Sequence, residues 1–362
     1  MFKVHAIQAS FGDCLILEYG TAAAPKYVLI DGGPPGAFDS HLKPAFAGIN
    51  GGIRKLELVM LSHVDNDHVV GLLDFFAEKP INPALPDVAE LWHNSFSASI
   101  DPANVIAPRV AALLATANAA AMTTAVEEVL GISEGARLGG FAATLNIPMN
   151  DIMNGKPITV DAAPDPVEDF GALTLRVVGP TKRNLAELKK KWDAWKDKVE
   201  HGVMTNDVDV MANADKSVPN LSSIMVLAEV DGRTALLTGD GRSDHLIEGL
   251  DQRGLLDEAG TLHVDLLKVA HHGSSRNHTK AFFSRISADK YLLSADGTYD
   301  NPDYDTLVWI VEAADEDGRQ IEICVTNDTP STVKLKSTHK PTKYNYKLTV
   351  MPQASHWMTT VV

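Results

Sequence analysis

The stretch Leu56-Glu57-Leu58-Val59-Met60-Leu61-Ser62-His63-Val64-Asp65-Asn66-Asp67-His68 decides how the rest of the chain is read. Its first half is apolar apart from Glu57 and stops at Ser62-His63. Such a run is typical of a strand buried on both faces, although periodicity alone does not separate it from buried helix. Its second half places His63, Asp65, Asp67 and His68, four groups able to bind a metal ion, within six residues. The pattern that follows, Val69, Val70, Leu72, Leu73, Phe75 and Phe76, predicts a short helix after His68. The unit therefore reads strand, polar loop, helix, and loops at strand ends are where open α/β sheets place their sites. Imidazole suits borderline ions such as zinc, and carboxylate suits harder ones such as manganese. Asp65 or Asp67 could instead cap the free N–H groups of the helix. Capping, however, leaves the two flanking histidines without a reason.

The same grammar recurs on both sides of this unit. Cys14 to Tyr19 and Tyr27 to Ile30 read as a hairpin that ends in Asp31-Gly32-Gly33. Leu173 to Val178 reads as a strand ending at Gly179-Pro180. Ile224 to Glu229 and Thr234 to Leu237 read as a second hairpin, turning at Asp231-Gly232 and ending in Thr238-Gly239-Asp240-Gly241. Val264 to Ala270 reads as a strand ending in His271-His272-Gly273-Ser274. An acid between glycines at a strand end (Asp240) can be a ligand or a turn residue. The histidine pair can supply ligands, or Ser274 can cap a helix. Taken together, the three strand ends offer four histidines and three aspartates, enough for two ions sharing a carboxylate. Two halves with an apolar hairpin ending in Asp-Gly and a strand ending in histidine amount to a weak internal duplication.

Composition bounds the function. The 362 residues contain 32 Lys+Arg against 47 Asp+Glu, a net charge of −15, which argues against an extended nucleic-acid surface. It does not exclude a small phosphate-bearing substrate held by metal ions. Two cysteines, Cys14 and Cys324, are too few for a disulfide framework or a cysteine zinc ribbon. No signal peptide is visible and no apolar run approaches the length of a membrane span, so a cytoplasmic location without membrane partner is expected. Residues 95–165 are alanine-rich and read as a partly helical insertion, a candidate docking surface for a protein partner. Residues 182–215 read as a charged helical insertion, with Leu188, Trp192, Trp195 and Val199 on one helical face. The expected arrangement is one domain over residues 1–362 carrying these two insertions.

His-x-Asp-x-Asp-His after a strand, then Thr-Gly-Asp-Gly, then Lys268-Val269-Ala270-His271-His272-Gly273-Ser274, resembles the metallo-β-lactamase superfamily. Within it the chain resembles the branch of ComEC-type metal-hydrolase domains and phosphorylcholine esterases. Gly12 to Leu17, Asp31-Gly32-Gly33 and Asn220 to Ile224 also match that branch, so the resemblance runs in order over roughly residues 1–300. It implies an α/β fold, the αββα four-layer sandwich with metals at one edge.

The resemblance implies that His63 and Asp65 serve one metal, with Asp65 where many members have histidine. It implies that Asp67 and His68 serve the second, that Asp240 bridges, and that His271 and His272 close the shells. Two divalent ions follow, zinc first, with manganese or iron favoured more than usual by Asp65. Such a pair shares a hydroxide whose pKa falls to about 7 and which acts as nucleophile; Asp67 then doubles as the catalytic residue that orients the attacking water. Lys268, Ser274, Thr298, Tyr299 and His93 are candidate substrate contacts. His93 is also the candidate for the superfamily's middle histidine, against the reading of a half-buried histidine bonded to backbone. Asn301-Pro302 stands where members often have His-Pro. The implied activity is metal-dependent hydrolysis of a phosphodiester. The alternatives are a lactone, thioester or β-lactam hydrolase, or a partner-gated component of a multi-protein system.

Overall fold

A computed structural model describes residues 1–94, 124–190 and 219–362. The alternation of side chains along the strands builds two sheets face to face. The first holds β1 (Phe2–Ile7), β2 (Leu15–Thr21), β3 (Ala24–Ile30), β5 (Leu58–Leu61), β7 (Leu91–His93) and β16 (Trp357–Val361), in the order β16-β1-β2-β3-β5-β7. A two-stranded ribbon of β4 (Lys55–Leu56) and β6 (Asp87–Val88) stands beside it, so Glu57 breaks the run that the sequence presents as one strand. The second sheet holds β8 (Val167–Phe170), β9 (Leu173–Gly179), β10 (Met225–Val230), β11 (Arg233–Leu237), β12 (Leu262–Lys268), β13 (Ile286–Leu293), β14 (Ile321–Val325) and β15 (Tyr346–Val350). Its strands follow in sequence order from β15 to β8.

Each strand contributes to two layers because neighbouring residues face opposite sides. Leu15 and Leu17, Val28 and Ile30, Leu58 and Met60 meet Val226 and Ala228, Ala235 and Leu237, Leu266 and Leu292 in the core between the sheets. Their neighbours Ile16, Leu29, Val59 and Leu61 point outward, under α1 (Lys43–Gly48), α2 (Asn66–Glu78) and α3 (Thr124–Thr144), and meet Phe46, Leu72, Phe76 and Leu138. On the far side Leu227, Leu236, Leu267 and Tyr291 are covered by α4 (Ser243–Gln252), α5 (Lys280–Arg285) and α6 (Tyr304–Glu316) through Leu246, Phe283, Leu307 and Ile310. The result is the αββα sandwich.

Strand direction then fixes where function can sit. β3, β5 and β7 run parallel, as do β11, β12 and β13. Their carboxyl ends lie on one edge of the sandwich, where parallel sheets leave a crevice. Asp31, Ser62-His63, His93-Asn94, Thr238 to Asp240, and Val269 to His272 follow those ends.

Of the two expected insertions, α3 lies within residues 95–165, while 95–123 fall outside the described residues. The chain returns from α3 to the first sheet, where Asn150 brackets β7 by bonding both the N–H and the C=O of His93 at 2.8 Å. Residues 182–190 are helical and Leu188 is buried, but Trp192, Trp195 and Val199 lie outside the described residues.

Candidate metal centre

The helix after the first motif starts earlier than the sequence implies, at Asn66, so Asp67 and His68 sit in its first turn. Asp65 occupies the N-cap position but makes no side-chain cap bond, which leaves its carboxylate for another use. The turn is pinned against the end of β3. A Cβ on Gly71 would lie 1.9 Å from the carbonyl oxygen of Gly32, so only glycine allows this approach, and Gly32 N–H donates to the His68 carbonyl at 2.7 Å. On the other sheet His271 and His272 both hold left-handed backbone angles, φ 48° and 53°. For non-glycine residues that conformation is strained, and strain of this kind collects at functional sites. Ser274 caps no helix there; Thr279 caps α5 instead.

Each of the four histidines is oriented through Nδ1. His68 Nδ1 lies 2.8 Å from Asp31 Oδ2, and Asp31 also accepts the Ser62 N–H and hydroxyl at 2.7 Å each. Having donated to Asp31, the Ser62 Oγ is left to accept from His63 Nδ1 at 3.0 Å. His272 Nδ1 donates to the Ser294 carbonyl at 3.0 Å, and His271 Nδ1 to Asn277 Oδ1 at 2.9 Å. With Nδ1 carrying the donated proton, each Nε2 presents a lone pair in the neutral ring.

The four Nε2 atoms converge on Asp240. His68 Nε2 lies 3.4 Å from Asp240 Oδ1, and His272, His271 and His63 lie 3.5, 3.8 and 3.9 Å from Oδ2. Asp67 Oδ2 lies 3.1 Å from His272 Nε2 and 3.7 Å from His68 Nε2, and Asp65 Oδ2 lies 3.4 Å from His63 Nε2. For metal–nitrogen bonds of 2.0–2.1 Å in a tetrahedral shell, ligand atoms sit about 3.4 Å apart. The observed spacing brackets that value. The Nε2 atoms of His63, His68 and His272, with Asp240 Oδ1, are buried and without a hydrogen-bond partner. Native interiors rarely leave four such atoms facing one another, and a cation resolves all of them together. The residues therefore fit divalent ions, with Asp67, His68 and His272 forming one group and His63 joined to His68 through Asp240.

The facing carboxylates and imidazoles also perturb one another. Burial alone would lower His68 and His272, but the facing carboxylates, Asp240 first, raise both well above the usual histidine value. Burial would raise Asp240, and His272, His68 and His271 hold it well below the carboxylate range instead. Asp67 is lowered against its burial by His68 and His272. His271, facing more solvent, is lowered by burial. Side-chain exposure is 29% for Asp65, 22% for Asp67 and 28% for His271, against 4% or less for His63, His68, His272 and Asp240. The centre is open to solvent on the side of those three residues.

The remaining sequence candidates are placed differently. Lys268, read as a substrate contact, is buried, ion-paired with Asp13 and donates to the Gly239 carbonyl at 3.2 Å. Ser274 is buried beneath the turn that carries His271 and His272. Thr298 and Tyr299 lie exposed on the loop after β13, where Tyr299 meets Phe11 edge-on at 6.0 Å. His93 is buried against Gly135 of α3 and belongs to none of the ligand groups among the described residues. Burial pushes its pKa down to about 4. Asp31, Asp13, Ser62, Asn277 and Ser294 carry the orientation network. The sequence shows Asp31 and Asp13 only as strand-end residues, and nothing local marks them as histidine partners.

The two-sheet sandwich with a His/Asp cluster at its carboxyl edge agrees with the resemblance to the metallo-β-lactamase superfamily. The family model described as Metallo-beta-lactamase superfamily matches residues 13–151, which include the His63–His68 motif. Members of the superfamily bind divalent metals. Among solved structures, a protein described as a metal-dependent hydrolase from Parabacteroides distasonis is 10% identical, with a TM-score of 0.40, covering 89% of this chain and 93% of its own. A diphosphatase of the PhnP family is 11% identical, with a TM-score of 0.41, covering 99% and 98%. No curated protein matches the chain. Among the described residues no helix is long and apolar enough to cross a membrane.

Proposed function

We propose that the protein is a metal-dependent phosphodiesterase whose centre is His63, Asp65, Asp67, His68, Asp240, His271 and His272. The observation that carries this reading is the convergence of four Nδ1-anchored histidines on one buried carboxylate, three of their Nε2 atoms being orphaned. Two divalent ions held there supply Lewis acidity and a nucleophile at neutral pH. The chain's own residues do the rest. Asp240 lies between the two ligand groups. Asp31, Ser294 and Asn277 fix the imidazole tautomers. Asp67, at the solvent-facing side, is placed to accept a hydrogen bond from an incoming water and aim it at phosphorus. A phosphodiester is favoured over an acyl substrate by Arg242 and Arg276, which line a cavity next to the Asp240 loop. An ester carbonyl brings no charge for them to meet.

Hydrolysis of a chromogenic phosphodiester, with zinc or manganese added, tests the reading in the wild type and in Asp67→Ala. Metal-dependent turnover in the first and its loss in the second, with unchanged folding, is the expected result. Absence of turnover with either metal in a folded, metal-loaded protein, alongside hydrolysis of a lactone or thioester, would replace it with the acyl reading.

A further inference from the structure

Beside the metal centre lies a cavity of about 290 Å³ whose lining includes none of the proposed metal ligands. It lies between the start of α4 and the loop that continues from His271-His272 into α5. Arg242, Arg276 and Arg285 line it, with Asp244 the one carboxylate among the described residues of its walls. His278 and Phe282 are its buried residues, along with Asn277. Three guanidinium groups against one carboxylate is a marked local excess in a chain of net charge −15. The size is near the lower limit of about 300 Å³ for small-ligand pockets, so it suits a compact group.

The arginines differ in how far they are committed. Arg242 is paired through two nitrogens with Asp244, at 2.9 and 3.0 Å. Arg285 donates Nε to the Gly260 carbonyl at 3.0 Å. Arg276 has no ion pair or hydrogen bond among the described residues. A guanidinium held at a cavity wall without a partner is a ready donor for an oxyanion, which it meets with two parallel N–H bonds. His278 adds no positive charge, because burial pushes its pKa down to about 4. The first turn of α4 opens on the same space and adds its positive end.

The cavity shares a wall with the metal centre. Asn277 lines it, orients His271 through Oδ1 and donates through Nδ2 to the Asp240 carbonyl at 3.1 Å. We propose that this cavity is a binding site for a phosphate-type oxyanion, held by Arg276 with Arg242 and Arg285. The site stands on its own geometry and does not require that the metal centre cleave phosphodiesters.

The test is a calorimetric titration of the metal-loaded, full-length protein with inorganic phosphate. Wild type is compared with Arg276→Ser, Arg276→Lys and Arg242→Ser, and with Arg54→Ser, which removes one exposed charge outside the cavity. The affinity is expected to fall about tenfold or more in Arg276→Ser, as for loss of a charge-assisted bond. Arg276→Lys keeps the charge without the fork and is expected to lie between. Arg54→Ser is expected to match wild type. Equal affinities in wild type and Arg276→Ser, or a fall as large in Arg54→Ser, would overturn the proposal. Because Arg276 is exposed and has no partner among the described residues, its variants are expected to fold even where Arg242→Ser does not. A second arm identifies the source of the anion, comparing phosphodiesters with and without an additional terminal phosphate. A KM raised in Arg276→Ser only for the former makes the site part of substrate recognition. Equal KM values beside lost phosphate binding make it a site for free phosphate. The titration reads no turnover, so its failure is separate from a failure of the hydrolase reading.

Discussion

The two sheets bring their candidate ligands to the same edge in different ways. The first sheet delivers His63, Asp65, Asp67 and His68 from one hexapeptide spanning a strand end and a helix start. Behind it a single carboxylate, Asp31, ties Ser62 and His68 together in full burial. The second sheet delivers Asp240 from β11 and His271-His272 from β12, 31 positions apart in the chain and brought together by parallel pairing. Its histidines rest on a carbonyl and an amide, and His271 stays open to solvent. The first edge is a preformed clamp. The second closes the shell and leaves an opening. The largest test of that division is Asp240, which alone meets all four histidines. Asp240→Ala is expected to reduce bound metal from two ions to one or none per chain and to bring turnover to background. Elemental analysis of the purified variant checks this, and retention of both ions would show that Asp240 joins nothing.

The next effect in size concerns the floor between the two edges. Lys268 of β12 pairs with Asp13 beside β2, both buried, and Asp13 also lies 3.4 Å from His272 Nδ1. Burial pushes Asp13 up, and Lys268 and His272 more than reverse this. Lys268→Met leaves that carboxylate unpaired and is expected to cost about 3–5 kcal/mol. Adding Asp13→Asn is expected to recover most of the loss, since an amide needs no counter-ion. Urea unfolding of both variants measures it. A single variant as stable as wild type would mean that the pair is not what joins the two sheets here.

Much of the centre was legible because chemistry and chain order coincide there. His63 to His68 is contiguous, and Asp240, His271 and His272 follow apolar strands directly, so each candidate ligand carries its own local signal. The strands were legible for the same reason, through alternation on β2, β3, β10 and β11. Partners that orient ligands leave no such trace. Asp31 is 37 residues from His68, and Ser294 is 22 from His272. Only the fold joins them, and an aspartate after a strand looks the same whether it caps, turns or holds a histidine. Lys268 shows the converse case. A lysine at a strand end beside the candidate ligands reads as a substrate contact, yet its side chain is buried and paired with Asp13. His93 likewise follows a short strand as a ligand would, but α3 packs over it.

Each edge also buries one neutral histidine, which permits a comparison by pH. Burial pushes His93 on the first edge and His278 on the second to about 4, from an ordinary value of 6.5. Between those two values the unfolded chain binds the proton and the folded one does not. Stability therefore falls as pH drops from about 6.5 toward 4, by up to about 3 kcal/mol for each group, and is unaffected above 6.5. Urea midpoints of the metal-free protein at pH 7.5 and 5 are expected to lie closer together in His93→Gln and in His278→Gln than in wild type. The difference between variant and wild type isolates each group from the other acids and bases. An unchanged interval in either would show that its histidine is protonated in the folded state.

The smallest expected effect gives the sharpest comparison, because it sets one orienting partner against the other. Asp31→Asn retains one acceptor but puts an amide N–H where Ser62 or His68 now donates. His68 then loses its Nδ1 anchor and presents a protonated Nε2 to the metal. Metal affinity is expected to fall about 10–100-fold, as for other outer-shell partners of a ligating histidine. Asn277→Ala removes the equivalent anchor of His271, yet a substitute is at hand. Asn220 Nδ2 already lies 3.3 Å from His271 Nδ1, and its Oδ1 is buried without a partner, so rotation of that amide presents the missing acceptor. Water can also reach the exposed ring. The expected loss is under about tenfold. Zinc competition titrations on both variants in phosphate-free buffer compare them directly. A loss in Asn277→Ala as large as in Asp31→Asn would mean that the second edge is clamped as tightly as the first. The double variant Asn277→Ala with Asn220→Ala would then be no worse than the single one, whereas takeover of the anchor by Asn220 requires it to be clearly worse.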